Sequence, residues 1–589
     1  MVREHPSEPF AAEFLFKHTS LGDRVRRIYS NEEYGIGRAD IQYLFDSDEP
    51  TISSHHLRIH CVSYENGEDQ TQFVAPLVYV RVLATNPVIH ECSCFNNTSV
   101  LARSNRDVLL NDRDVLVLSP RISVTFSAPK RSLKSASAFS MLQEAEMARF
   151  GPQYLVSDRI LGSGGHANVH LALQQSGKSQ LACKIVRVPS CNVDLMDDPQ
   201  CTDEAREQAL RWKKRQEELA REYNVLSNLS HPNIISLEKV FCTTSNIYIF
   251  QELVTGGDLM SYLDKNGALQ EPEAAAIVRQ VSKAVEYLHA NNIVHRDIKP
   301  ENVLMTSWRP GARVVLTDFG QSRSIADNSG REKQPALFRM QSMVGTHGYV
   351  APEVFKHFRR DPKHSRGYSK AIDIWSVGCL AGILLTGEAM PFLEDSQEST
   401  AWSLNFMHDD MHPKYSLWCK ASRAAKSFIE ACLNIDEAQR PTAPEALQHD
   451  WFTNKYYGIE LEAAYQRAIQ DWRPRPANAN LIEFIDTSEI PRNVEQVSSQ
   501  SSPLPYDTQV RSHHFGSKMT NEYRPLLAEA ISKSPTTRPA VPAFNTGSFR
   551  NFPEVPIDLP SEGQTPFFAS PVYVPNTPPP ASQMPRAVQ

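Results

Sequence analysis

The alternation of apolar and polar residues divides the chain into three regions. From about residue 20 to 128, short apolar runs are separated by polar turns. HLRIHCVSY, LVYVRVLA, DVLVLS and RISVTFS are rich in β-branched residues and alternate with a period near two. Short strands at this spacing predict an all-β sandwich, bounded here at residues 15–128. A polar bridge, APKRSLKSASAF, follows and predicts a linker over 129–153. From Tyr154 to Phe452 strand-like runs give way to long helical ones. In EPEAAAIVRQVSKAVEYLHA the apolar positions recur every three to four residues, and AAKSFIEACL repeats that spacing. The order predicts a two-lobed α+β domain over 154–452, with a small mostly-β lobe ahead of a larger mostly-α one. Nearly half of the 40 prolines lie beyond Arg473, where periodicity fades. Residues 453–589 therefore read as a mostly disordered tail rich in Pro, Ser and Thr.

Composition narrows the class without naming it. At 589 residues the chain is too long for one core, so it is multidomain. A net charge of -7 gives no case for direct nucleic-acid binding. IWSVGCLAGILL is too short to span a bilayer and reads as a buried helix, and MVREHPSEPF has no signal-peptide run, so no membrane partner is expected. The ten cysteines include no C-x-x-C pair, with only Cys92 and Cys94 close together. That usage fits a reducing interior with neither a disulfide frame nor a zinc site. His55, His56 and His60 do not all share one face of an alternating strand, which argues against a metal there.

The chemistry concentrates in the middle region. LGSGGHANV, from Leu161 to Val169, has Gly162 and Gly164 where a phosphate-cradling G-x-G-x-x-G-x-V loop needs them, and Ala167 in place of the third glycine. Alone, such a bend is as well explained by sterics. Five further pieces follow in fixed order: LACK with Lys184, Glu222 on the charged stretch RQEELAREYNVL, HRDIKPEN from His295 to Asn302, DFG from Asp318 to Gly320, and APE from Ala351 to Glu353. Singly, Lys184 reads as a surface lysine, Glu222 as a solvated helix charge and Asp318 as a turn residue. Together, over about 300 residues, they resemble the eukaryotic protein kinases.

That resemblance implies ATP and Mg2+ as cofactors and assigns roles. Phosphoryl transfer needs positioning and charge neutralisation more than covalent help. Leu161, Gly162, Ser163, Gly164, Gly165, Val169 and Ala182 would enclose the nucleotide, and Glu252 and Val254 in YIFQELVTGGDL would offer backbone groups to adenine, with Gln251 as gatekeeper. Lys184 would hold the α- and β-phosphates, fixed by Glu222; Glu218, one turn earlier on the same face, is the alternative partner. Asp318 and Asn302 would bind metal, Asp297 would take or orient the substrate hydroxyl proton, and Lys299 would steady the γ-phosphate. Asp258 and Glu301 occupy positions where basophilic kinases read an arginine three residues before the target, implying protein substrates with R-x-x-S/T sites. Arg296 before Asp297 implies an activation segment ordered by phosphate. Ser342, with Arg339 three residues before it, is the expected activation phosphosite, and Thr346 in GTHGYVAPE the substrate-binding threonine.

In the first region, GRAD, then TISSHHLRI, then T-N and LLNDRDVLVL resemble a forkhead-associated (FHA) domain, a β-sandwich whose loops bind phosphothreonine. Arg38, Ser53 and Asn86 match the phosphate-reading positions, with Ser54 and Thr85 as lesser candidates and His56 as a support for the loops. The sequence departs from that family at Pro87, where glycine is usual, and at Ser54, where a basic residue is common. The pairing of such a domain with a calmodulin-kinase-like catalytic domain resembles the DNA-damage checkpoint effector kinases and their fungal meiosis-specific relatives. It implies phosphothreonine-bearing adaptor proteins as partners, a transient homodimer during trans-autophosphorylation, and residence in the nucleus, with the cytoplasm as a second compartment. Gln251 leans toward the meiotic branch. Two other readings stand beside this one: a phosphopeptide-binding scaffold with an inactive kinase fold, and an active kinase whose first domain serves only for packing.

Overall fold

The computed structural model describes residues 10–29, 33–63, 75–103, 106–128, 139–164, 167–188, 220–324, 349–354, 369–387, 418, 420–476 and 479–487. The first region is an antiparallel sandwich. A six-stranded sheet contains Phe10–His18, Gly22–Tyr29, Val88–Cys92, Asn97–Leu101, Val115–Val117 and Ile122–Ser127, and a four-stranded sheet contains Glu33–Ile36, Leu57–Val62, Leu77–Val82 and Val108–Leu109. Phe14, Phe16, Ile59, Val78, Val80, Val124 and Phe126 fill the space between them. The sandwich begins at Phe10, ahead of the expected boundary at 15. In FAAEFLFKH, Ala12, Phe14, Phe16 and His18 are buried on one face. A short helix, Arg38–Phe45, interrupts the β pattern.

The expected linker contains a helix, Met141–Phe150, started by a reciprocal Ser140–Gln143 capping box. Its Phe150 stacks on Phe241 at 4.5 Å and meets Tyr248 and Phe250 edge-on. Its buried Glu146 accepts hydrogen bonds from Thr243, Asn246 and Tyr248. Sequence reading missed this helix because only Phe150 and Glu146 are buried along it, too few to write a helical period.

The small lobe is a six-stranded sheet in the order Tyr154–Gly164, Ala167–Gln174, Ser179–Arg187, Asn246–Glu252, Leu237–Cys242, Ile482–Phe484. The large lobe is helical around Glu271–Ala290 and Ala371–Thr386. From Ile372 to Thr386 every residue of the latter is buried, as expected for a helix that is apolar all round. Among the described residues no helix is long and apolar enough to cross a membrane.

The tail requires a correction. Residues 458–487 carry a helix, Gly458–Ile469, and the strand Ile482–Phe484, which pairs in parallel with Leu237–Cys242. Leu461, Ala464 and Tyr465 bury one face of that helix, while Arg475 donates to the carbonyls of Leu229 and Leu237 in the small lobe, both at 3.1 Å. The expectation of disorder beyond 487 falls outside the described residues.

Candidate active site

The glycine loop is the tip of a β-hairpin. Gly162, Ser163 and Gly164 pair with Val169, Asn168 and Ala167, and Gly165 lies outside the described residues. Ala167 in the third glycine position is a strand residue, so its Cβ is accommodated there. Leu161 is buried, Val169 pairs with Lys184, and Ala182 pairs with Gln251. The sheet register thus delivers Lys184 beneath the loop. Its Nζ lies 2.6 Å from Glu222 Oε1, which decides between the two candidate partners in favour of Glu222. Glu222 sits on a helix whose described part spans 220–227; Glu218 lies outside the described residues.

The chain crosses between lobes at 253–255. Glu252 is tied down by its side chain, which accepts from Ser236 N–H and from Arg313. Among the described residues the N–H of Val254 makes no hydrogen bond, so it is available to an incoming acceptor. Gln251 is half-buried on the strand preceding the crossing.

Below it the catalytic segment is closely coupled. Asp297 Oδ2 accepts from Asn302 Nδ2 at 2.8 Å and lies 3.0 Å from Lys299 Nζ. Asn302 Nδ2 also bonds the Asp297 carbonyl, which turns the amide oxygen into the group Asn302 has free to offer. Asp318 adopts a left-handed conformation, φ 61°, and its Oδ1 accepts from Gly320 N–H. A left-handed non-glycine residue is costly, and the buried Phe319 side chain, packed edge-on to His295 at 4.8 Å, holds it in place. Gly320 approaches both Asp318 Oδ1 and Glu222 Oε2. Lys184, Glu222, Asp318, Asp297, Lys299 and Asn302 therefore gather on one cleft.

Two supporting residues escaped the sequence reading. Asp373 is fully buried and accepts from His289 Nε2 at 2.9 Å, His295 N–H at 2.9 Å and Arg296 N–H at 2.8 Å. Burial works against its charge, but the His289 hydrogen bond and the other donors outweigh it and hold its pKa below the ordinary carboxylate value. The signal was present: Asp373 is the only charged residue in AIDIWSVGCLAGILLT. The second is Arg440, whose two terminal nitrogens each lie 2.7 Å from one oxygen of Glu353 while the guanidinium covers the Trp375 ring. Arg440 is distant in sequence and carries no local pattern.

Asp258 and Glu301 lie together at the edge of the cleft. Asp258 caps the helix Leu259–Asn266 through Ser261, and burial pushes its pKa up to about 6. Burial likewise pushes Glu301 up to about 7, and its Oε2 is buried with no hydrogen-bond partner among the described residues. Ser342 and Thr346 lie outside the described residues. Among the described residues, Arg221 and Arg323 each bury one terminal nitrogen without a hydrogen-bond partner.

In the first domain, Arg38, Ser53 and Asn86 are brought together around one loop. Arg38 donates to the carbonyls of Ile52 and Pro50, and Asn86 to that of Thr51. Ser54 and Thr85 are exposed beside them. Gly37 is required here, because any Cβ would stand 1.8 Å from the Ser54 carbonyl. His56 is buried, accepts from Ser53 N–H and is kept neutral by burial, which makes it a support for the loop. His55 is exposed, whereas His60 is buried and stacked on Tyr79. Elsewhere in this domain His90, Cys92 and Asp114 come close together. Asp114 is already engaged there by His90, Ser93 and Asn111, as a turn-bracing carboxylate would be.

A glycine hairpin, a lysine–glutamate pair, two carboxylates and an amide on one cleft define a protein kinase. Residues 155–452 match the protein kinase domain family, and the chain belongs to that family. It is similar over 461 residues, at 28% identity, to the meiosis-specific serine/threonine-protein kinase mek1 of Schizosaccharomyces pombe, covering 77% of this chain and 88% of that one. It is 30% identical over 457 residues to the meiosis-specific kinase MEK1 of Saccharomyces cerevisiae, covering 74% and 83%. A calcium/calmodulin-dependent protein kinase type I of Schizosaccharomyces pombe is 33% identical over 299 residues, 50% of this chain and 78% of that one. The chain is a serine/threonine protein kinase related to the meiosis-specific ones.

Proposed function

We propose that this kinase transfers the γ-phosphoryl group of Mg2+-bound ATP to serine or threonine three residues after an arginine. Its FHA-like first domain recruits it to phosphothreonine on adaptor proteins in a nuclear DNA-break or meiotic checkpoint. Leu161 to Gly165, Val169 and Ala182 enclose the nucleotide, the backbone at Glu252 and Val254 meets adenine, and Lys184 neutralises the inner phosphates. The oxygen donors of Asp318 and Asn302 suit a hard cation such as Mg2+, which supplies charge neutralisation at the transferring group. Asp297 orients the substrate hydroxyl, and Lys299, paired with it, stands ready for the γ-phosphate.

The observation that carries the substrate preference is the orphaned Glu301 oxygen beside Asp258. A buried carboxylate with an unfilled lone pair is costly unless a donor arrives, and a guanidinium supplies up to five. Glu301 is largely neutral below about pH 7 and charged above it, so KM for an R-x-x-S peptide should fall as pH rises from 6 to 8, by up to roughly tenfold. The KM of the matching peptide with alanine at that position should be nearly flat, and Glu301→Gln should abolish the difference. Equal KM values for both peptides at pH 8 would refute the preference.

Activation and recruitment are tested together. The two buried, unpartnered nitrogens of Arg221 and Arg323 favour a phosphate on the activation segment. Phosphate mapping of purified full-length chains should find Ser342 modified in the wild type and unmodified in Lys184→Arg. Binding of a phosphothreonine peptide should weaken at least about tenfold in Arg38→Ala, the loss of one charge-assisted contact. Ser342 phosphate in Lys184→Arg with no other kinase present, or unchanged peptide binding in Arg38→Ala, would remove the corresponding half of the reading.

A further inference from the structure

The first domain does not merely precede the kinase; it packs against the small lobe and the crossing at Leu253–Thr255. Val62, Leu77, Tyr79 and Leu109 of the sandwich form one buried apolar cluster with Leu161 and Leu171 of the small lobe, and Val169, Ala182 and Leu253 pack against it. Leu161, Val169 and Ala182 are the residues assigned above to enclose the nucleotide, so the same patch that faces adenine is shared with the first domain.

Polar contacts reach the interlobe crossing itself. His60 Nε2 lies 2.9 Å from the carbonyl of Thr255, one residue after the Val254 N–H that is free to meet adenine. The carbonyl can only accept, so Nε2–H is the donor, while burial lowers the His60 pKa. The Thr255 hydroxyl donates to Asp107 Oδ2 at 3.2 Å, and Asp107, fully buried, is paired with Arg58 and Arg81. Nearby, Gln180 uses both ends of its amide on the backbone of Leu109, accepting its N–H at 2.7 Å and donating to its carbonyl at 3.0 Å. Arg159 donates to the carbonyls of Ala75 and Pro76. This is a seat of apolar surface crossed by several buried hydrogen bonds, with Arg58 Nε and Arg159 Nε left without a partner among the described residues, and it is drier than the loosely polar contact expected between tethered domains.

We propose that the N-terminal sandwich is a structural part of the nucleotide site. His60 and Asp107 are positioning residues: acting through Thr255, they hold the crossing in the conformation that presents Val254 to adenine, while the apolar cluster closes that side of the pocket to water. The inference rests on the nucleotide-site reading above and adds a domain to it. A crossing released from Thr255 samples more backbone conformations, and ATP must then bear the cost of ordering it, which raises KM for ATP. The chemistry downstream, set by Asp297, Lys299 and Asp318 in the large lobe, is untouched.

The test uses the full-length chain with His60→Phe and Gln180→Leu, singly and together. Phenylalanine keeps the stack on Tyr79 and leucine keeps the volume of Gln180, so both preserve packing while deleting the interdomain hydrogen bonds made by His60 and Gln180. The expected result for the double variant is a KM for ATP raised about fivefold or more, the scale of one or two lost hydrogen bonds. Its kcat and its KM for peptide should stay within about twofold of wild type. Thermal melting checks that the chain remains folded. A folded double variant whose KM for ATP equals that of an active wild type overturns the proposal and leaves the kinase reading standing. A wild type with no saturable dependence on ATP would overturn the nucleotide-site reading itself.

Discussion

Asp297→Asn is expected to lower kcat by about 10²–10⁴-fold while leaving KM for ATP within a few-fold of wild type. In the structure Asp297 Oδ2 is held by Asn302 and Lys299, so its position is determined and an amide of the same shape can occupy it. What the substitution removes is charge and proton affinity. A neutral amide cannot take the hydroxyl proton, and Lys299 loses the anion that now raises its pKa despite burial. At about 1.4 kcal/mol per decade, the expected loss is roughly 3–5.5 kcal/mol of transition-state stabilisation. Steady-state kinetics with saturating peptide measures it. A kcat within tenfold of wild type would show that Asp297 orients nothing essential.

The second large effect is structural. Asp373→Ala should destabilise the kinase domain by about 3 kcal/mol or more and lower its melting temperature by roughly 6 °C or more. The carboxylate is fully buried and receives three donors, two of them the backbone N–H groups of His295 and Arg296. Alanine leaves all three buried without an acceptor, and each orphan costs about 1–3 kcal/mol. Asp297 follows directly, so activity should fall as well, at least tenfold in kcat. Asp373→Asn retains acceptor oxygen for part of this set and should be damaged less in stability than alanine. A folded Asp373→Ala chain melting at the wild-type temperature would refute the role assigned to this anchor.

How far the chain could be read depended on where each signal lives. The kinase motifs were legible because each is short and its residue types are dictated by chemistry, and the structure brings Lys184, Asp297, Asn302 and Asp318 together in one cleft. Phosphate, metal and proton permit few substitutes. Strands with clean alternation were also visible, as Leu57–Val62 and Ile122–Ser127 were. The helix Met141–Phe150 and the strand Ile482–Phe484 were not. Both owe their existence to neighbours: the helix to an aromatic stack against Phe241, the strand to a free edge at Leu237–Cys242. Neither is long enough to carry its own period.

The amino-acid order alone therefore determined the class of enzyme and the presence of a β-sandwich ahead of it, because local chemistry and strand alternation constrain those residues wherever they come to rest. Tertiary structure decided the rest: that Glu222 is the partner of Lys184, that Asp373 braces the segment at His295 and Arg296 while Arg440 holds Glu353, and that residues 458–487 return to both lobes. It also decided that His60 and Asp107 reach Thr255 from almost 150 residues or more away. Contacts made across such separations leave no pattern in sequence, since each partner needs only the right shape and charge at the point of meeting, and folding alone chooses that point.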